Sequence, residues 1–417
     1  MSTLKNTKVL TKGHKSALNA PRKKVSVVSN RTPDRKNRSR FKRNVNLVED
    51  KWSGVALYTC KYRIYPNKEQ TRRIDMTCEA RRFVYNYYLE RASSMPGDVY
   101  VCLRHLKHLK DELPWLREAD SSALRNTLFD LFRARAKCLA SKGIGPPRFK
   151  SRHDNKRSYT THGTVRVFDN AVQLPKLGLV KCRVSKEVKG RIINATVSKE
   201  PSGKYFVAVC CEVKACRRFP STKLKVGVDV GIETLVVLSD GTEFSYPKNI
   251  KATKDKLREA RLRKSNAPEG SSKRKRASAE VNRLREKFKN QRKDFLHRLT
   301  TYLVRQYDVI CVEDLDINGM HQNKCLAGQI NNALWGEFFR MLKYKAEWYG
   351  KTVVVIDRYF PSSQICSNCG TKNSSVKNLK VRKWKCHKCN AVHDRDHNAA
   401  KNILNEGLAK LKKQQPK

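Results

Sequence analysis

Four cysteines near the C-terminus constrain this chain more than any other feature. Cys366, Cys369, Cys386 and Cys389 read C-x2-C-x16-C-x2-C, and two short knuckles that each offer a pair of thiolates match the tetrahedral site of a zinc ribbon. A redox pair accounts for one C-x2-C at a time, not for both. Four thiolates close the coordination sphere, so one Zn²⁺ per chain is expected in a structural role. The ten remaining cysteines are scattered, mostly among apolar residues, and read as reduced core thiols in a reducing compartment.

Charge narrows the partner. Lys plus Arg minus Asp plus Glu is 90 − 38 = +52 over 417 residues, an imbalance that calls for a polyanion or dense counterions, and hence for nucleic acid. A membrane partner is disfavoured, because no run approaches the roughly 18 apolar residues of a spanning helix. The N-terminus carries basic residues but no apolar stretch, so no secretory signal is expected and the chain is read as intracellular. Residues 1–50 hold 14 Lys/Arg against three acids with no sustained period. They read as a disordered basic extension that serves either as a solvated tail or as a nucleic-acid-binding or import arm.

From Val55 the chain becomes patterned. ALYTCKYRIYP predicts a strand ended by Pro66, and Lys68 to about Leu139 has helical period, with Phe83, Val84, Tyr87 and Tyr88 on one stripe and Leu124, Leu128, Leu131 and Phe132 on another. A Gly/Pro-broken basic loop, GIGPPRFKSRHDNKRS, follows. Five short alternating stretches then predict a small barrel over about 161–222, which the helical segment interrupts after its first strand. KLKVGVDVGIETLVVLSDGTEFSYP predicts an antiparallel meander turning at Ser239 to Thr242. Residues 251–293 carry seventeen Lys/Arg against five acids and predict two basic helices broken near Asn266 to Ser272. The apolar strand YDVICVED, an amphipathic helix and the buried strand TVVVID complete an α/β layer.

Acids at three places in that layer attract notice. Alternation puts Leu224, Val226, Val228 and Val230 on one strand face and Asp229 on the other with Gly227, and a carboxylate in a buried strand is costly unless paired or metal-bound. Glu313 ends VICVE. Asp394 and Asp396 begin the helix DRDHNAAKNIL, Asp394 being the better placed to cap it. Each acid alone has an ordinary explanation as a cap, a turn residue or a solvated strand end. Together, at the carboxyl ends of adjacent strands, they form an oxygen donor set suited to two Mg²⁺ or Mn²⁺ ions that cleave a phosphodiester. Basic residues of the cysteine-rich segment, Lys383 and Lys385 among them, with Trp384 between, offer phosphate contacts and base stacking.

VGVDVG, VEDL, the Cys₄ ribbon and DRDHNAAKNI, taken in order, resemble the TnpB proteins of bacterial insertion sequences and their eukaryotic and viral relatives, the Fanzors. KYRIYPNKEQ resembles the family's opening segment, and PPRFKSR, with Arg148, Lys150 and Arg152, its basic loop entering the second wedge segment. The resemblance implies an α/β plus β-barrel architecture: an RNase H-like (RuvC) nuclease domain with an inserted Cys₄ zinc ribbon, preceded by a wedge-type barrel interrupted by a helical recognition domain. The implied segments are an extension over 1–54, wedge at 55–66 and 146–222, helical recognition at 67–145, nuclease at 223–360, ribbon at 361–392, a further nuclease helix at 393–410 and a basic tail.

By the same resemblance the catalytic acids fall on Asp229, Glu313 and Asp396. The partners are a guide RNA of the omega-RNA type and a double-stranded DNA target bearing a short adjacent motif. The basic extension tilts the reading toward a eukaryotic or viral member with nuclear import, the alternative being bacterial cytoplasm. A guided binder that does not cut and a structural zinc-ribbon RNA-binding protein are the competing readings.

Overall fold

The computed structural model describes residues 55–414 apart from 92–96, 142, 153–156, 215–217, 233, 317–318, 320–327, 329–333 and 379–380. The basic extension, with the arm and import readings placed on it, lies outside the described residues. The chain divides into two compact units, Leu57–Glu200 with Lys204–Glu212, and Pro201–Gly203 with Val213 onward.

The first unit opens with β1 (Val55–Tyr65), and Asn67 and Gln70 then form a reciprocal capping box that starts α1 (Lys68–Glu90). Ala80, Val84 and Tyr88 of α1 pack against Cys102, Leu106 and Leu109 of α2 (Val99–Glu112) and Leu124, Leu128 and Leu131 of α3 (Ser121–Ala140). Both predicted stripes face this core.

Six strands follow: β2 (Arg157–Thr161), β3 (Arg166–Val167), β4 (Ala171–Leu174), β5 (Gly178–Arg183), β6 (Arg191–Lys199) and β7 (Tyr205–Lys214). With β1 they make one sheet in the order β2-β6-β7-β1-β5-β4-β3. Alternate residues from every part of it, among them Tyr62, Tyr159, Val172, Val180, Val197 and Val209, share one core. The expected five-strand remainder thus gains β2, whose sequence RSYTT buries Tyr159 and Thr161 but shows too few apolar residues for alternation to register. Among the described residues the end strands β2 and β3 of this sheet are not paired with each other.

In the second unit β8 (Lys225–Asp229), β9 (Val236–Leu238) and β10 (Glu243–Phe244) form the predicted meander. Two basic helices, α4 (Lys248–Ser265) and α5 (Ser272–Gln306), are split where Asn266 to Ser271 break the period. Then come β11 (Val309–Glu313), α6 (Trp335–Tyr349) and β12 (Thr352–Ile356). The sheet order is β10-β9-β8-β11-β12, with β8, β11 and β12 mutually parallel. One face, carrying Val226, Val228, Ile310 and Val312, packs on α5 and α6 through Leu299, Leu303, Phe338 and Leu342. Leu224, expected on that buried face, is 53% exposed because it precedes the strand.

The opposite face meets the last helix, α7 (Arg395–Gln414). A Cβ at Gly227 would collide with the backbone of Ala400 and Leu404, and one at Gly407 with Cys311. Glycine at these two positions is what lets helix and sheet approach so closely.

Candidate functional site

Parallel pairing sets where the acids sit. Val228 of β8 is in register with Val312 of β11, so the next residues, Asp229 and Glu313, end neighbouring strands side by side. Asp229 shares the face of Gly227, the face covered by α7, and Asp396 lies in that helix's first turn. Glu313 and Asp396 both lie within electrostatic reach of Asp229. Burial, and then the charges of Glu313 and Asp396, push the Asp229 carboxyl well above the usual carboxylate range, against smaller opposing effects of the Val230 N–H and Arg395. Burial likewise raises Glu313, partly offset by the Ser362 hydroxyl, which donates to its carboxylate. Asp396 is paired with Arg382, Nη1 to Oδ2 3.2 Å. Asp394 sits elsewhere in role: its Oδ1 accepts from the backbone N–H of Asp396 and of His397, both at 3.1 Å, as a helix cap does.

Several residues that sequence reasoning passed over hold this arrangement. His397 Nε2 donates to the Ser239 carbonyl at 3.1 Å, tying the start of α7 to the β9–β10 turn. Asn402 donates to the carbonyls of Ser362 (2.7 Å) and Ile365 (2.6 Å). Asn398 donates to Ile365 (2.7 Å) and accepts from the Ser367 N–H (2.9 Å). Their one-turn spacing on a helix beside a cysteine knuckle was the available signal.

The knuckles themselves are built alike. Cys366 and Gly370, and again Cys386 and Asn390, close turns whose last residues have φ of 75° and 57°, the left-handed region open to Gly and Asn. Cys366 and Cys389 Sγ lie 3.6 Å apart, as do Cys369 and Cys386 Sγ, close to the edge of about 3.8 Å that a tetrahedron with Zn–S near 2.3 Å requires. Among the described residues these four form the metal-competent group, every ligand atom within 4.8 Å of the others, a spacing the three acids do not meet. The hydroxyl and backbone N–H of Thr371 pull the Cys369 thiol down to about 6, and the Ala391 N–H lowers Cys389. His393 Nε2 lies 3.0 Å from Cys366 Sγ. The donor set fits zinc.

Strand β13 (Lys383–Lys385) exposes Lys383 and Lys385, while Trp384 between them is only 7% exposed and packs on His393 at 4.7 Å between ring centroids. Trp384 is core of the ribbon, so the expected base stacking by its ring does not hold. In the first unit Arg148 and Arg152 are exposed. Lys150 is held by its backbone on Asn86 (2.8 and 3.0 Å), and its amine lies 3.7 Å from the Tyr85 ring centroid.

Comparison with known proteins places the chain. Residues 208–324 match the family OrfB_IS605, described as "Probable transposase"; residues 335–403 match "Cas12f1-like, TNB domain"; residues 57–94 match a "Helix-turn-helix domain" of the OrfB_IS605 group. A "Putative RNA-guided DNA endonuclease" of Streptomyces pristinaespiralis is 37% identical over 366 residues, 84% of this chain and 89% of that protein. The chain belongs to the TnpB family. Within it, InsQ of Escherichia coli K12, also named "Putative RNA-guided DNA endonuclease", is 29% identical over 85% of this chain and 93% of its own length. A "TnpB-like protein" of Acanthamoeba polyphaga mimivirus is 30% identical, but over 46% of this chain and 39% of its own. The two long matches above are bacterial, and they lend no support to the eukaryotic or viral tilt or to nuclear import. No helix among the described residues is long and apolar enough to cross a membrane.

Proposed function

We propose that the chain is an RNA-guided DNA endonuclease of a transposable element whose reactive centre is Asp229, Glu313 and Asp396. The observation that carries the reading is a carboxylate driven toward its neutral form by burial and by two neighbouring acids, on strand ends next to a helix start. Such a conflict is costly in a merely structural role and is relieved by a cation. Three hard oxygen donors fit Mg²⁺ or Mn²⁺. Bound there, such ions supply activation of water and stabilisation of the leaving oxygen.

The chain's own residues do the rest. Ser362 orients Glu313, Asp394 fixes the helix that presents Asp396, and His397 and the two asparagines hold that helix to the sheet and the ribbon. The first unit, read as wedge and helical recognition segments, and the basic helices α4 and α5 grip guide RNA and heteroduplex by shape and backbone, with Arg148, Lys150 and Arg152 contributing. Lys383 and Lys385 extend that grip on the ribbon.

The test is a cleavage assay with copurified RNA whose guide segment is exchanged. The cut site should follow the guide in Mg²⁺, and Asp229→Ala or Glu313→Ala should abolish cutting while leaving target binding intact. A cut site that stays put, or near-normal cutting by either variant, overturns the proposal.

A further inference from the structure

Strands β8, β11 and β12 are parallel neighbours, so the loops that follow them emerge on one edge, the edge where Asp229 and Glu313 end. Two of these loops display apolar side chains to solvent. Ile232, three residues past Asp229, is 42% exposed, and Tyr359, three past the residue paired with Glu313, is 86% exposed. Their loops follow the two strands on either side of β11, the strand that ends in Glu313.

The loop carrying Tyr359 is not loose. Tyr359 N–H donates to Asp357 Oδ1 at 2.8 Å, Arg358 binds Asp314 at 2.8 and 3.2 Å, and Ser362 N–H donates to the Phe360 carbonyl at 2.8 Å. Asn402 holds the Ser362 carbonyl, and the Ser362 hydroxyl reaches Glu313. Phe360, next in line, turns inward onto Ile356 and Ile403. A backbone pinned on both sides therefore presents one large ring to water beside the acids, and three residues of chain span no more than about 10 Å from that ring's residue to the one touching Glu313.

We infer that Tyr359, assisted from across β11 by Ile232 on the loop after β8, forms a stacking subsite for one unpaired nucleobase of the DNA strand whose phosphodiester lies at the acids. An aromatic face accepts any base, so the subsite is indifferent to sequence. It selects for strands that are locally unpaired, because a base within a duplex already has both faces covered. Phosphates of the same strand find the acid edge partly neutralised by Arg358, which pairs with Asp314 and lies 3.8 Å from Asp316. This inference rests on the nuclease reading above.

The experiment uses the full chain with its guide RNA in Mg²⁺ and target strands in which single nucleotides near the cut are replaced by tetrahydrofuran abasic residues. At one position the abasic residue should lower wild-type kcat/KM by roughly tenfold. Tyr359→Ala should lose a similar factor on the intact strand and nothing further on that abasic strand, with zinc content unchanged, and Tyr359→Phe should behave as wild type. Independent, multiplying losses in Tyr359→Ala, or no abasic-sensitive position in wild type, overturn the subsite while leaving the nuclease assignment standing. Wild-type protein that does not cut at all overturns both.

Discussion

Asp308 shows how one residue ties the parallel strands together at the edge opposite the acids. It precedes β11, donates its N–H to Leu224 at 2.8 Å and accepts from Thr352 at 2.8 Å, so its backbone links all three strands. Burial works against its ionised side chain. The Lys351 ammonium, the Ser221 hydroxyl and the backbone N–H groups of Thr222 and Lys223 outweigh that and hold its carboxyl below the usual range. Because the folded-state value is lowered, the stabilisation is present above the unfolded value of about 3.9 and is lost as pH falls through the folded one. Asp308→Asn should therefore destabilise the protein at pH 7 by about 2 kcal/mol, below the range for fully buried pairs since 22% of the side chain meets solvent. Denaturant melts at descending pH should show the gap to wild type closing below about pH 4; a gap independent of pH would mean that the ion pair is not its source. Neither Asp308 nor its partner could be singled out in the sequence, since Lys351 lies 43 residues away and only strand order brings them together.

At the scale of elements, what could be read from sequence is what local chemistry dictates. The cysteine spacing needs only a tetrahedron, and the break between α4 and α5 needs only Asn266, Pro268 and Gly270 in a charged helical run. Asp229 was visible because strand period put it opposite valines, whereas Ser362, His397 and Asn402 act on partners 37 or more residues distant in the chain, which no local pattern names. Those contacts couple the ribbon to the acids. Asn398 and Asn402 fasten the stretch from Ser362 to Ser367, which enters the first knuckle, to the helix presenting Asp396, and Arg382 reaches Asp396 from within the ribbon. Cys386→Ser should lose zinc and unfold the ribbon. It should also cut target at least about tenfold more slowly, because a misplacement of only ~1 Å at a reacting centre carries penalties of that order or more. Elemental analysis and single-turnover cleavage of the same preparation test both halves; zinc-free protein that cuts at the wild-type rate would uncouple ribbon from acids.

For the whole molecule, charge and geometry divide the labour of recognition. A net +52 in 417 residues cannot read sequence, because ammonium and guanidinium groups bound to phosphates respond to charge density and backbone shape. It sets affinity, and affinity of this kind has a signature: each neutralised phosphate adds about −0.7 to −0.9 to the slope of log K against log salt. Much of the basic surface is available for this purpose. The exposed faces of α4 and α5, together with Arg148, Arg152, Lys383 and Lys385, line no apolar core. Binding of the guide RNA should accordingly weaken with a slope steeper than about −5, corresponding to six or more phosphate contacts. Exchanging the guide segment while keeping the scaffold should leave that slope unchanged even though it moves the cut site. Filter binding of two RNAs that differ only in their guides, measured between low and physiological salt, decides the matter. A slope that changes with the guide would mean that protein side chains read its bases, and a shallow slope would mean that the charge serves something other than the RNA.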